Sequence, residues 1–404
     1  MSTSELYHGF GIRGYQHLKS EFVGGKTIYT IAQRPSDLRC SACGSGHVIR
    51  RGFCQRQFRH LPIGPRPVQM VLGVARVDCQ DCGVLRQVRV GFADAQRSYT
   101  RGFERYALEL SRRMTIQDVA LHLQVSWDVV KDIQKRSLAR RFEHIPVGHL
   151  RLLAIDEISI GKGHRYLTVV LDLVTGAIVF VGDGKGTEAL KPFWKRLKVA
   201  KAQIEAVAMD MSPAYIAAVV QNLPGTAIVF DHFHVIKLFN ENLSDLRRDL
   251  HREATEKLHK DVLKGTRWLL LKNPENLDES RNEPNRLKEA LKLNEPLATA
   301  YYMKDDLRRV WEQRNKKAAE RLLDAWIRRA ENSGIRMLMK FARTLAMHRN
   351  QILNYYDYRI STGPLEGTNT KIRVLQRKAY GFRDTEFFKL KIYALHETRF
   401  QLVG

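Results

Sequence analysis

The sequence predicts a mixed α/β protein whose sheet domain is split by an all-helical insertion and preceded by two small modules. Three observations predict it. Between residues 151 and 235, β-rich runs and helix-like runs follow in the order β-β-β-α-β-α-β. From 236 to 350 the chain is long, densely charged and helical in period. Residues 1–95 hold all five cysteines, four of them in two C-x-x-C-G units.

Composition narrows the function classes. Hydrophobic residues make up 44% of the 404, enough for a sizeable core and against wholesale disorder. Lys and Arg number 67 against 43 Asp and Glu, a net charge of +24, which points to a polyanion and most simply to nucleic acid. The first twenty residues lack an apolar core of signal-peptide length, and no run approaches the roughly 18 apolar residues of a membrane span. A cytoplasmic, nucleoid-associated protein is expected.

The first module is read over 1–95. "CSACG" (Cys40, Cys43) and "CQDCG" (Cys79, Cys82) each turn two thiolates to one side of a tight bend, where Gly44 and Gly83 relieve the backbone. Two such units supply four sulfurs, the donor set of structural zinc. The 35 residues between Cys43 and Cys79 leave room for strands. Cys54 is expected as a small buried hydrophobe.

Residues 96–148 are read as a helix-turn-helix. Thr115 caps a first helix with Asp118 in its first turn, and Val119, Ala120 and Leu123 form its apolar face. Gln124 and Val125 make the turn, with Gln124 where a glycine is usual. Ser126 caps the second helix, whose Val130 and Ile133 face inward. Ser126 itself, Trp127, Asp128, Lys131 and Gln134 are expected outward, in a major groove.

Residues 150–235 open the sheet domain. In "LLAIDEISI" the apolar alternation Leu152, Ala154, Ile158, Ile160 carries Asp156 on the same face, where an unpaired carboxylate is costly. "RYLTVVLDL" and "AIVFVGDG" complete an antiparallel meander. "IEAVAMD" is a fourth strand ending at Asp210. Ser212 and Pro213 start the helix after it, and "GTAIVFD" is a fifth strand. Right-handed crossovers place the fourth strand beside the first, so Asp210 should lie close to Asp156. Two facing carboxylates stay ionised together around a divalent cation, which answers the cost of Asp156. Glu157 should point to the opposite face, Asp172 should pair locally, and Asp231 competes with Asp210 for the second position. "VGDGKGT" lacks the spacing of a phosphate loop and is read as a turn.

Residues 236–350 are read as a helical insertion with Trp268, Trp311 and Trp326 in its core, and 273–285 as an exposed loop. In 351–404, "STGPLEGTNTKIRVLQRKAYGFR" starts a helix at Gly363 and Pro364, with Glu366 in its first turn as the third metal ligand. Asn369 follows near it. Lys371, Arg373, Arg377 and Lys378 suit a phosphate backbone, because Lys371 to Arg383 contains five basic residues and no acid.

"AIDEISIGKGHRYLTVVLDL", "AMDMSPAY", "VFDHFHV" and "STGPLEGTNTKI" together resemble an insertion-sequence transposase of the ISL-three type. The resemblance spans nearly the whole chain. It implies a ribonuclease-H-like catalytic domain of the DDE class behind a zinc finger and a helix-turn-helix. It implies Asp156, Asp210 and Glu366 as the catalytic triad holding Mg²⁺ or Mn²⁺. "DHFH" is similar to an aspartate-x-x-histidine motif, which implies supporting roles for Asp231 and His234 beside Asn369. The expected partners are double-stranded DNA, as terminal inverted repeats and target, and a second copy of the chain in a dimer or larger assembly. Two rival readings are a zinc-finger DNA-binding regulator without activity and a metal-dependent nuclease that cuts without joining.

Overall fold

The computed structural model describes residues 5–161, 163, 165–254, 266–292 and 294–397. They divide into two compact units that part between Glu143 and His144.

The first unit begins with a short helix α1 (Glu5–His8) and a sheet of β1 (Tyr15–Val23), β2 (Lys26–Gln33), β3 (Val48–Ile63), β4 (Arg66–Cys79) and β5 (Leu85–Gln87). The order is β1-β2-β4-β3, with β5 also on β4. β3 and β4 form a long antiparallel hairpin, and Phe58, Val68, Met70 and Leu72 fill the core beneath it. The first half of β3 is exposed, and Cys54 with it, so Cys54 is not the buried hydrophobe that was expected. The strand lies at the sheet edge.

Three helices follow: α2 (Arg101–Leu110), α3 (Ile116–Leu123) and α4 (Trp127–Phe142). Thr115 caps α3 by accepting from Asp118 N. Gln124 takes the left-handed conformation (φ 51°), at a cost of about 1–2 kcal/mol for a residue with a Cβ. Two backbone bonds offset it: Val125 N donates to Ala120 O and Gln124 N to Leu121 O, the double closure that ends a helix without glycine. Val119, Ala120, Leu123, Val130 and Ile133 pack on Phe103 and Ala107 of α2. Gln134 is buried rather than facing outward. Gln134 lies four residues after Val130 and seven after Trp127, so it stands at the border between the inward stripe and the Trp127 side, and packing takes it inward.

The second unit holds β6 (Leu152–Gly161), β7 (Arg165–Asp172), β8 (Ile178–Asp183), α5 (Thr187–Ala200), β9 (Ala206–Met209), α6 (Pro213–Asn222), β10 (Ala227–Phe230) and α7 (His232–Glu253). The sheet order is β10-β9-β6-β7-β8: β6, β7 and β8 are antiparallel neighbours, while β9 and β10 run parallel to β6. α5 crosses so close to β8 that a Cβ on Gly182 would stand 2.3 Å from Ala189 O. Only glycine permits that approach.

The insertion continues with α8 (Arg267–Leu271), α9 (Glu283–Lys292), α10 (Glu295–Arg308), α11 (Lys316–Glu331), α12 (Arg336–Met347) and α13 (Arg349–Leu353). Its apolar residues join the core on one face of the sheet instead of closing a core of their own, with Phe239, Trp326 and Phe341 in the same cluster as Leu153, Ile155 and Val207. Trp311 and Trp326 are buried, and Trp326 Nε1 donates to Met303 O at 2.7 Å. Trp268 is 66% exposed, contrary to expectation. In the five-residue α8, Leu269 and Leu270 turn inward and leave Trp268 outside. The expected loop over 273–285 contains two short 3₁₀ turns and the start of α9, tied down by buried Glu283, which pairs with Lys272 at 2.6 Å.

On the other face of the sheet lie α14 (Gly363–Lys378) and α15 (Thr385–Tyr393). Leu365, Ile372, Phe388 and Ile392 pack there on Ala154, Ile158 and Ala208.

Candidate active site

The register of the sheet fixes where the first two acids stand. Ala154 of β6 pairs with Ala208 of β9 in a parallel ladder. Two residues further along come Asp156 on β6 and Asp210 just past the end of β9, at the same step beyond the paired alanines. Neighbouring strands are about 4.8 Å apart, so the two carboxylates share one neighbourhood. Burial, and with it the Asp210 charge, pushes Asp156 up to about 6. Asp210 Oδ1 accepts from Ser212 N at 3.0 Å, which anchors it at the start of α6.

α14 lies over this face. Asn369 Nδ2 donates to Asp156 Oδ2 at 2.7 Å, and Gln376 Nε2 donates to Ile160 O at 2.6 Å, so the helix is fastened to β6 at two points. Glu366, one turn before Asn369, reaches His234 of α7, with Oε1 3.8 Å from Nε2. Asn369 Oδ1 and His234 Nε2 are buried with no hydrogen-bond partner. Hard carboxylate oxygens beside an orphaned buried acceptor are a donor set that fits a divalent oxygen-seeking cation. Among the described residues, the close His/Cys/Asp/Glu cluster is that of the four cysteines, and Asp156, Asp210 and Glu366 do not form one.

Asp231 has a different task. Its Oδ1 accepts from Phe233 N at 2.8 Å and so caps α7, while Oδ2 accepts from Thr362 N at 2.7 Å and from the Thr362 hydroxyl. Burial raises its pKa, but the bonds from His232, Thr362 and Phe233 outweigh that and hold it well below the usual carboxylate range. Both oxygens are committed to the backbone starts of the helices that carry His234 and Glu366. Thr362 was not singled out from sequence. It sits at a cap position just before Gly363-Pro364, but its partner lies 131 residues away. Glu157 turns to the opposite face beside Tyr215, and Asp172 is buried accepting from Val174 N, Thr175 N and the Thr175 hydroxyl.

The cysteines form a second site. Cys40 and Cys82 Sγ are 3.7 Å apart, Cys43 and Cys79 Sγ 3.5 Å, and all four lie within 4.8 Å. Sulfurs about 2.3 Å from a tetrahedral centre would be about 3.8 Å apart, so the cluster fits zinc. Gly44 and Gly83 take φ 79° and 68° and donate N–H to Cys40 O and Cys79 O, closing the two knuckles. Backbone N–H groups at Cys43 and Ala42 bring the Cys40 thiol down to about 6, ready to ligate as thiolate.

Of the residues expected at DNA, Ser126 and Trp127 are exposed and Lys131 Nζ lies 5.4 Å over the Trp127 ring. Lys371, Arg373, Arg377 and Lys378 are exposed along α14. No helix among the described residues is long and apolar enough to cross a membrane.

Comparison with known proteins places the chain in a family. A family model described as transposase, of the ISL3 group, matches residues 153–392, from β6 to α15. The model for the helix-turn-helix domain of transposase family ISL3 matches residues 88–138. The transposase for insertion sequence element IS1001 of Bordetella parapertussis is 33% identical over 358 residues, covering 88% of each chain. That for IS1557 of Mycobacterium tuberculosis is 30% identical over 389 residues, 90% of this chain and 87% of the other. A Drosophila P element transposase strand transfer complex overlaps with TM-score 0.35 and 11% identity over 63% of this chain and 78% of that one. With one family model covering more than half of the chain and relatives at 30–33% identity over most of it, the chain belongs to the ISL3 family of transposases.

Proposed function

We propose that this transposase cuts DNA at the terminal inverted repeats of an insertion sequence and joins the freed 3′ ends to target DNA, through a ribonuclease-H-like centre of Asp156, Asp210 and Glu366. The observation that carries the reading is that Asp156 and Asp210 follow the last paired alanines of parallel neighbours by the same step, with the Glu366 helix bonded to Asp156 through Asn369. These three acids would hold Mg²⁺ or Mn²⁺, which when bound supplies a nucleophile of lowered pKa and steadies the leaving oxygen. Asn369 keeps Asp156 turned toward the site. Asp231 sets the starts of α7 and α14, and His234 lies against Glu366. Lys371, Arg373, Arg377 and Lys378 hold phosphates of the reacting strand. In the first unit, Ser126, Trp127 and Lys131 read the repeat, and zinc on Cys40, Cys43, Cys79 and Cys82 stiffens the module that carries them. Joining two ends calls for two copies of the chain, working in the cytoplasm at the nucleoid.

The test is a duplex carrying the element's terminal repeats, incubated with the full chain and target DNA, with and without Mg²⁺. Metal-dependent nicking followed by joined product is the expected result. Binding without nicking would make the chain a regulator, and nicking without joining would make it a nuclease.

A further inference from the structure

The insertion helices differ in how they treat surface charge. On α7, Arg248 pairs with Asp245 and Arg252 with Asp249. On α10 and just after it, Arg308 and Arg309 pair with Asp305 and Asp306. Arg349 spans Glu320 and Asp324 of α11. α12 breaks this habit. Its sequence, RMLMKFARTLAM, has no acid, and its first turn, where an acid would suit the helix dipole, starts with Arg336. Leu338, Phe341, Ala342 and Leu345 are buried. Arg336, Lys340, Arg343 and Met347 are all exposed, Met347 by 76%. At 100° per residue these four fall within an arc of about 60°. The three cations span about 10 Å of helix, a length over which duplex DNA presents several phosphates. None of the three is ion-paired among the described residues.

Three unpaired cations in one stripe repel each other, and no acid among the described residues pairs with them. We infer that the outer stripe of α12, Arg336, Lys340 and Arg343, is a second duplex-DNA track, contacting phosphates independently of base sequence and away from the three acids. It rests on the chain being a transposase, which sets the polyanion as DNA, and it deepens that reading by naming a surface nothing else assigns. Because it concerns binding and not cleavage, it can fail while the three-acid centre stands.

The experiment measures binding of the full chain to a terminal-repeat duplex and to a scrambled duplex by fluorescence anisotropy across a salt series. The triple change Arg336→Gln, Lys340→Gln, Arg343→Gln should weaken binding equally on both duplexes and reduce the slope of log affinity against log salt by about 2.7, three phosphates at about 0.9 each. Arg248→Gln with Arg252→Gln, which removes two cations that are ion-paired, should leave the slope nearly unchanged. Asp156→Asn should keep the slope while losing cleavage, which separates failure of the catalytic reading from failure of this one. A triple variant with native circular dichroism and an unaltered slope overturns the track, and points to a solvated face or a protein partner. Should the triple variant misfold, Lys340→Gln alone must still lower the slope by about 0.9.

Discussion

The four-cysteine cluster and the three-acid site are both sets of anionic donors, yet the chain holds them in different ways. Each cysteine pair is set by its own five-residue turn, and one antiparallel hairpin brings the pairs together, so the sulfurs stand at near-tetrahedral spacing. The acids come from β6, from the end of β9 and from a helix beyond the whole insertion. Sheet register aligns two of them, while the third is placed by side-chain bonds across the fold. Local turns build a closed structural site. Long-range topology assembles the acids from distant segments, and the Asp210 charge adds to the burial that raises Asp156.

The contrast can be broken most severely at the acids. Asp156→Asn, Asp210→Asn or Glu366→Gln should each lower cleavage on the order of 10³-fold or more while leaving DNA binding intact, since groups that act as a unit fail together. A gel-based nicking assay with parallel anisotropy reads both. At the cysteines the damage should run the other way. Cys79→Ser, or a strong chelator, should destabilise the first unit by several kcal/mol, given the binding energies typical of structural zinc. Repeat binding would fall, and the calorimetric transition of the second unit would stay in place.

A subtler test sharpens the same difference. Asp156 is raised from 3.8 to about 6, first by burial and then by Asp210. For an acid raised in the folded state, the cost of ionisation appears as pH climbs through that window and is complete above it. Asp156→Asn should therefore stabilise the metal-free protein at neutral pH by on the order of 2 kcal/mol, and the gain should vanish near about pH 4. Thermal melts at the two pH values decide it, and equal shifts at both would count against the assignment. Smaller still is Thr362→Val, which takes one donor from buried Asp231 and should cost about 1 kcal/mol with a several-fold drop in turnover at unchanged DNA affinity.

Much of this was legible in the chain. The period-two pattern around Asp156, the crossovers and the C-x-x-C-G spacing carry their geometry locally, and the strand order and knuckles follow from them. Gln134 was not settled by the same local logic, because it stands four residues after inward Val130 but also seven after outward Trp127, and only packing decides between them. Neither was Trp268, since only the shortness of α8 decides which side it takes. Nor was the Asp231–Thr362 bond, which joins residues on opposite sides of the insertion. Cys54 depended on which strand ends at the sheet edge, a tertiary matter that composition does not carry.

One carboxylate at the start of α7 also grips the start of α14. His234 and Glu366 are thus mounted on a common pivot, and any displacement of one helix must drag the other. The third acid cannot be re-aimed alone, so a weakened Glu366 position should be recoverable by second changes near residues 231–235, far away along the chain but mechanically next door.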